Sequence, residues 1–238
     1  MDRVKKGETE EISQQLAEDV IHYLEACLEN QEKVSMAVSG GSTPAALFQT
    51  LHSNYADLAL WQQVHIFWVD ERCVKTSDPE SNFGNAREML LKLGIPKKQL
   101  HPMYTGGSVT GACQFYEKLM KKHIPAQIND IPVLDLVLLG LGEDGHTASL
   151  FPGKDHHIET GLCCVAQHPN TGQWRISLSL RTINATKCVV FFVLGNNKAG
   201  VVAHILSRKD AAELPASLVN PAEGVIDWYV DHAAASAM

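Results

Sequence analysis

No stretch of roughly 18 consecutive apolar residues occurs in the chain, which excludes a conventional membrane-spanning helix. Excess positive charge is missing too. Lys and Arg number 20 against 27 Asp and Glu, and the formal net charge of −7 offers no general attraction for a nucleic-acid backbone. No local basic patch replaces it. The six cysteines show neither C-x-x-C spacing nor the density of a disulfide scaffold, and read as reduced thiols. Cys163 and Cys164 are neighbours on an expected strand, where alternation sends their side chains to opposite faces and argues against a shared metal. The eleven histidines include no H-E-x-x-H pairing, and His156-His157 falls in a polar, loop-like segment, so no metal site is expected. The glycine turn VSGGSTP, 38–44, matches neither the nucleotide P-loop nor the dinucleotide fingerprint G-x-G-x-x-G, and the chain lacks the nucleophile elbow G-x-S-x-G. Gly106-Gly107-Ser108-Val109-Thr110 lacks the final glycine of that elbow, which disfavours a covalent serine mechanism. The opening MDRVKKGETEEISQQ is too polar for a secretory leader, so a cytoplasmic protein is expected.

What is present is an alternation of strand and helix patterns. Ile12, Leu16, Val20, Tyr23, Leu24 and Cys27 recur at three- and four-residue steps and predict an amphipathic helix over 10–30. Val34–Val38 is a short apolar run closed by Gly40-Gly41. Ser42-Thr43-Pro44 then supplies a cap and an early proline for a second helix. Val64–Val69 reads as a strand, 70–81 as a loop, and 82–93 and 109–123 as helices. Leu134–Leu139 is a third strong strand. Further strands are expected at 163–167, 174–180 and 187–194, with helices at 198–206 and 225–235. Apolar strands that barely alternate, interleaved with helices, predict a mostly parallel sheet covered on both faces, in one α/β domain over residues 1–238.

Ligands of open α/β sheets sit beyond the carboxyl ends of the strands, so the residues following each strand belong together. VSGGSTP, 38–44, places Gly40, Gly41, Ser42 and Thr43 where a glycine turn meets a helix start. That arrangement suits an anion cradle, and equally a plain capped turn. FWVDERCV, 67–74, ends a strand in Asp70-Glu71-Arg72, either a phosphate-binding guanidinium steadied by an acid or a solvated charge cluster. LGLGEDGHTASLFPG, 139–153, delivers Gly140 and Gly142 and then Glu143, Asp144 and His146. The imidazole can take a proton near neutral pH, a nearby carboxylate can orient it, and the glycines permit close backbone approach. Arg175, at a strand start, and Lys198, at a strand-to-helix junction, complete a set of cations fit for a phosphate monoester. These readings stop at a phosphorylated small molecule facing a histidine base.

VSGGSTP, VHIFWVDERCV with DPESNFGNAREMLL, LDLVLLGLGEDGHTASLFPG, RISLSLRTINATKCVVFFVLGNNKAG and LPASLV follow one another as in the 6-phosphogluconolactonases, which are related to the glucosamine-6-phosphate deaminases. The chain resembles that family over nearly its whole length. The resemblance implies a Rossmann-like α/β fold and a small-molecule substrate, 6-phospho-D-glucono-1,5-lactone. It implies no cofactor and no catalytic metal. From the charge balance and the lack of long apolar runs, no nucleic-acid or membrane partner is expected, and the chain is compatible with a monomer. The resemblance also implies His146 as general base with Asp144 beside it, and Gly40, Gly41, Ser42, Thr43, Arg72, Arg175 and Lys198 around the phosphate, with Asp70 at the same edge. In the related deaminases an aromatic residue usually follows the acidic pair, and Asp70 would move a proton between carbons. Here Arg72 follows. Lys75 and Trp174 stand where relatives commonly carry proline.

Overall fold

A computed structural model describes residues 3–156, 158–207 and 214–238. The chain runs β1 (Arg3–Gly7), α1 (Thr9–Leu28), β2 (Val34–Val38), α2 (Ser42–Tyr55), β3 (Val64–Trp68), β4 (Asp70–Arg72), α3 (Asn82–Lys92) and α4 (Val109–His123). It continues with β5 (Gln127–Ile128), β6 (Ile131–Pro132), β7 (Leu136–Leu139), β8 (Cys163–Gln167), β9 (Trp174–Leu178), α5 (Leu180–Ile183), β10 (Cys188–Val193), α6 (Ala199–Ser207) and β11 (Val225–Asp231). Among the described residues no helix is long and apolar enough to cross a membrane.

Six strands form one parallel sheet in the order β1-β11-β10-β7-β2-β3. Strands β2, β3, β7 and β10 are buried at every position, as expected of apolar strands covered on both faces. Helix α1 packs on α2 and α2 on α3, while α4 packs on β8 and sends the Tyr116 hydroxyl to accept from the Trp68 N–H at 2.7 Å. Phe191 and Trp228 face each other across β10 and β11 with rings stacked at 4.1 Å, a cross-strand pair at the centre of the core.

Three features depart from the sequence reading. The expected helix over 225–235 is strand β11, lodged between β10 and β1 with its last five residues buried. Val225, Trp228 and Tyr229 imitate helical spacing, but the segment is rich in β-branched and aromatic residues, and two neighbouring strands leave it only an extended place. The polar RVKKG forms edge strand β1, tied down by Arg3 to Asp227 at 2.5 Å and Lys5 to Asp19 at 2.6 Å. The expected loop over 70–81 begins with β4, which leaves the main sheet and joins β9 and β8 in a small antiparallel sheet. Of the polar segment containing His156-His157, His157 lies outside the described residues.

Candidate active site

The sheet order reverses between β2 and β7: the chain leaves β2 for β3 on one side, and β7 for β10 on the other. A crevice at the carboxyl ends of such a pair is where α/β sheets hold ligands. Here it is a cleft of about 420 Å³. Small-molecule sites typically measure about 300–1,000 Å³. Gly40, Gly41 and Thr43 enter it from the β2–α2 turn, Asp70 and Arg72 from β4, and Arg175 from β9. His146 enters from the loop after β7, and Lys198 from the turn before α6. Asp144 stands behind His146, and the Ser42 side chain lies outside the described residues.

The loop after β7 is built around the imidazole. Nδ1 of His146 lies 2.5 Å from Oδ1 of Asp144, and the same oxygen accepts from the His146 backbone N–H at 3.1 Å. Burial alone would raise the Asp144 carboxyl, but the His146 N–H, ring and charge together hold it below its ordinary value. An ionised Asp144 accepts the Nδ1 proton and so leaves the Nε2 lone pair available as a base. Phe151 packs against the ring with centroids 5.1 Å apart, and the His146 side chain keeps 30 % of its surface exposed.

The resemblance implies that these glycines bring backbone amides close to the lactone carbonyl, and the amides of Gly140 and Gly142 are engaged otherwise. The Gly140 N–H bonds Ser39 Oγ at 3.3 Å and the Gly142 N–H bonds the His146 carbonyl at 2.8 Å, so neither amide is free for a substrate carbonyl. Gly142 instead makes room: a Cβ there would run into the His146 ring and come within 2.6 Å of Asp144 Oδ1. Gly142→Ala is therefore expected to break the His146–Asp144 contact, read as a changed tautomer pattern of the ring in nitrogen NMR. Unaltered signals would mean that the loop absorbs the methyl group.

The cleft also carries three cations, Arg72, Arg175 and Lys198. Arg72 and Arg175 occupy paired positions across the β4–β9 ladder, where facing like charges are unfavourable. The Arg175 side chain is only 11 % exposed, and the Nε atoms of both arginines are buried with no partner among the described residues. Burial and the Arg72 charge lower the Arg175 pKa, while Asp70, with Oδ2 3.9 Å from Arg175 Nη1, opposes them. Each head is steadied by one neutral acceptor: Arg72 donates to the Glu80 carbonyl at 2.7 Å, and Arg175 to Gln173 Oε1 at 3.2 Å. Lys198 adds a third cation at the cleft wall. The β2–α2 turn contributes as well. Gly41 takes φ 103° and, as the N-cap residue of α2, has no side chain to cap the first turn, so the positive end of the helix dipole meets the cleft. Unmet buried donors are costly unless an anion supplies acceptors.

Asp70 and Glu71, adjacent in sequence, have different roles. Asp70 accepts from Ser149 Oγ at 2.6 Å through Oδ2 and from Asn82 Nδ2 at 3.2 Å through Oδ1, which leaves it facing Arg175 as a fixed counter-charge. Glu71 is fully buried and accepts the backbone N–H groups of Arg72, Asn82 and Phe83 at 2.7, 2.8 and 2.9 Å, binding β4 to the start of α3. Burial raises its pKa, against those three N–H groups.

Sequence reasoning missed Asn82, whose amide also donates to the Asp70 carbonyl and whose side chain fills the space a Cβ on Gly40 would need. It also missed Asn197, which lines the cleft and donates to Glu143 Oε1 at 2.6 Å, linking the two loops that flank the site. Both asparagines sit at helix starts, where a cap is the ordinary reading. Only the fold brings them to the cleft.

The chain is similar to known proteins over most of its length. The family described as glucosamine-6-phosphate isomerases and 6-phosphogluconolactonase matches residues 7–228. The 6-phosphogluconolactonase of Haemophilus influenzae is 36% identical over 204 residues, covering 84% of this chain and 86% of that one. A crystal structure of a devB protein superposes with a TM-score of 0.90 at 36% identity over 99% of each chain. That of the 6-phosphogluconolactonase from Leishmania guyanensis gives 0.87 at 30% identity over 98% of this chain and 97% of that one. Matched by the family over residues 7–228 and by relatives of like sequence over most of both chains, the chain belongs to the family of glucosamine-6-phosphate isomerases and 6-phosphogluconolactonases.

Proposed function

We propose that this protein hydrolyses 6-phospho-D-glucono-1,5-lactone to 6-phospho-D-gluconate, the lactone-opening step of the oxidative pentose phosphate pathway. In this reading Arg72, Arg175, Lys198 and the start of α2 hold the phosphate, and His146 acts as general base. One observation carries the assignment of roles: a guanidinium pair with unmet donors shares one cleft with a carboxylate-oriented imidazole. The first answers a phosphate, the second a water molecule.

Nε2 of His146 takes a proton from water as the oxygen attacks the lactone C1 carbonyl. The developing oxyanion meets the positive field of the cleft. The tetrahedral species collapses with cleavage of the bond from C1 to the ring oxygen, and the imidazolium returns its proton to that leaving oxygen. Asp144 keeps the ring in one tautomer throughout and offsets the charge of the imidazolium. Binding the phosphate fixes C1 relative to His146, so contacts remote from the reacting bond lower the orientational cost of attack. A lactone is an activated ester, and hydrolysis by water needs neither a covalent intermediate nor a cofactor.

Sugar-phosphate deamination, the other activity named in the family description, would require Asp70 to carry a proton between carbons. Both Asp70 oxygens are engaged, by Ser149 and Asn82, and the residue is 5 % exposed, which fits a positioning role rather than a mobile base. The deciding experiment compares the purified protein on freshly generated phosphorylated lactone and on glucosamine 6-phosphate. Lactone opening well above the spontaneous rate, without ammonia release, is expected. Ammonia release without lactone opening would overturn the proposal.

A further inference from the structure

At the opposite end of the sheet, where the strands begin, three histidines far apart in sequence converge. His65 lies on β3, His101 follows the short turn at Lys97–Gln99, and His123 closes α4. One ring nitrogen from each falls within 4.8 Å of the others. His65 Nδ1 and His101 Nε2 are 2.9 Å apart, and both residues are buried. The His101 ring is held face to face with Phe67 at 4.5 Å, and its backbone N–H bonds the Ile66 carbonyl at 2.9 Å. Each ligand candidate is thus fixed by a separate rigid element. His65 and His123 also line a cleft of about 360 Å³ that opens to solvent beside Ser35 and Asp135, which gives the cluster an entry path. The phosphate and lactone chemistry uses none of these residues.

We propose that His65, His101 and His123 bind one zinc(II) ion through three imidazole nitrogens, leaving the fourth position to water from the adjoining cleft.

Zinc–imidazole bonds of about 2.0–2.1 Å in a tetrahedral site place ligand nitrogens roughly 3.3 Å apart. His65 and His101 present nitrogens 2.9 Å apart, and all three candidate nitrogens lie within 4.8 Å of one another, a spacing close to that requirement. Neutral imidazoles are borderline ligands that suit zinc over calcium or magnesium. One of the two facing nitrogens of His65 and His101 carries the proton of their 2.9 Å contact, and zinc(II) binding shifts it to the other nitrogen of that ring, which frees both lone pairs. Lys33 and Lys122 line the same cleft and temper the attraction for a dication. An ion here would fasten β3, the 97–101 segment and the end of α4 to one another, a structural role remote from the cleft that holds His146.

The test uses the full-length, chelator-treated protein titrated with cobalt(II) alone, followed by zinc(II) in thermal unfolding. The expected result is one cobalt(II) per chain with a tetrahedral absorption band, displaced by zinc(II), and a melting temperature raised by zinc(II) through ligand linkage. His123→Ala and His65→Gln should each weaken binding at least about tenfold, as expected for losing one of three protein ligands, and abolish the thermal shift. His123 is only partly buried, at a helix end, so its variant remains informative even where His65→Gln fails to fold. Lactone turnover in His123→Ala should match that of the unsubstituted chain, and His146→Ala should bind cobalt(II) normally. Binding or stabilisation unchanged in His123→Ala, a thiolate charge-transfer band from the cysteines, or no tetrahedral band would each overturn the assignment. Because metal binding is read by spectroscopy and thermal shift, failure here is distinguishable from failure of the lactonase reading.

Discussion

His146→Ala is expected to lower kcat on the phosphorylated lactone by about 10²–10⁴-fold, the usual contribution of a positioned general base. The melting temperature should change little, because the ring sits at the mouth of the cleft with 30 % of its side chain exposed. KM should stay within a few-fold, since the phosphate is held by other residues. Asp144→Asn provides the finer test. An asparagine keeps a carbonyl oxygen for the His146 backbone N–H and for the Nδ1 proton, but loses the negative charge that offsets the imidazolium. The ring is then a weaker base in the same position, and kcat should fall while the geometry persists. The measurement is initial rate corrected for spontaneous opening, with circular dichroism as the control for folding. If His146→Ala turned over like the unsubstituted enzyme, the general-base assignment would be wrong.

Removing one arginine of the facing pair should separate binding from stability. Arg72→Ala is expected to raise KM for the phosphorylated lactone by roughly 10- to 100-fold, since a hydrogen bond to a charged group contributes about 1.5–3 kcal/mol. KM for unphosphorylated gluconolactone should hardly move. The same substitution relieves the repulsion between Arg72 and Arg175 and removes one buried unpaired Nε, so the unliganded protein should be no less stable, and inorganic phosphate should protect it less against heat. The two lactones and thermal unfolding with and without phosphate measure all of this. A loss of stability with equal KM effects on both substrates would show that Arg72 is structural and that the phosphate lies elsewhere.

Much of the molecule is legible one segment at a time. Continuous apolar runs such as VSMAV, LVLL and CVVFFV have no solvent face, so they read as strands buried on both sides and proved so. The helices over Thr9–Leu28, Asn82–Lys92 and Val109–His123 carry their own periodicity and caps and were placed within a residue or two. RVKKG and VIDWYVD were not legible, because a polar edge strand and an aromatic-rich strand owe their conformation to the neighbours they pair with. At the cleft, residue types following strands pointed to the cations and the histidine before any contact was known. The partition of labour between Asp70 and Glu71, and the presence of Asn82 and Asn197, depended on contacts between segments that no local pattern records.

The sequence by itself determined the alternation of elements, the glycine turns at strand ends and the chemistry on offer at those ends, because each depends on interactions within a few residues. Tertiary structure alone decided which of these ends meet. The reversal of strand order between β2 and β7 opens one crevice, β4 swings out of the main sheet to set Arg72 beside Arg175, and Gly142 yields its side-chain space to His146. Long-range pairing also brought His65, His101 and His123 within reach of one another at the far end of the sheet. Each of these outcomes rests on strand order and on the volume left between packed elements, quantities set by the whole core rather than by any one segment.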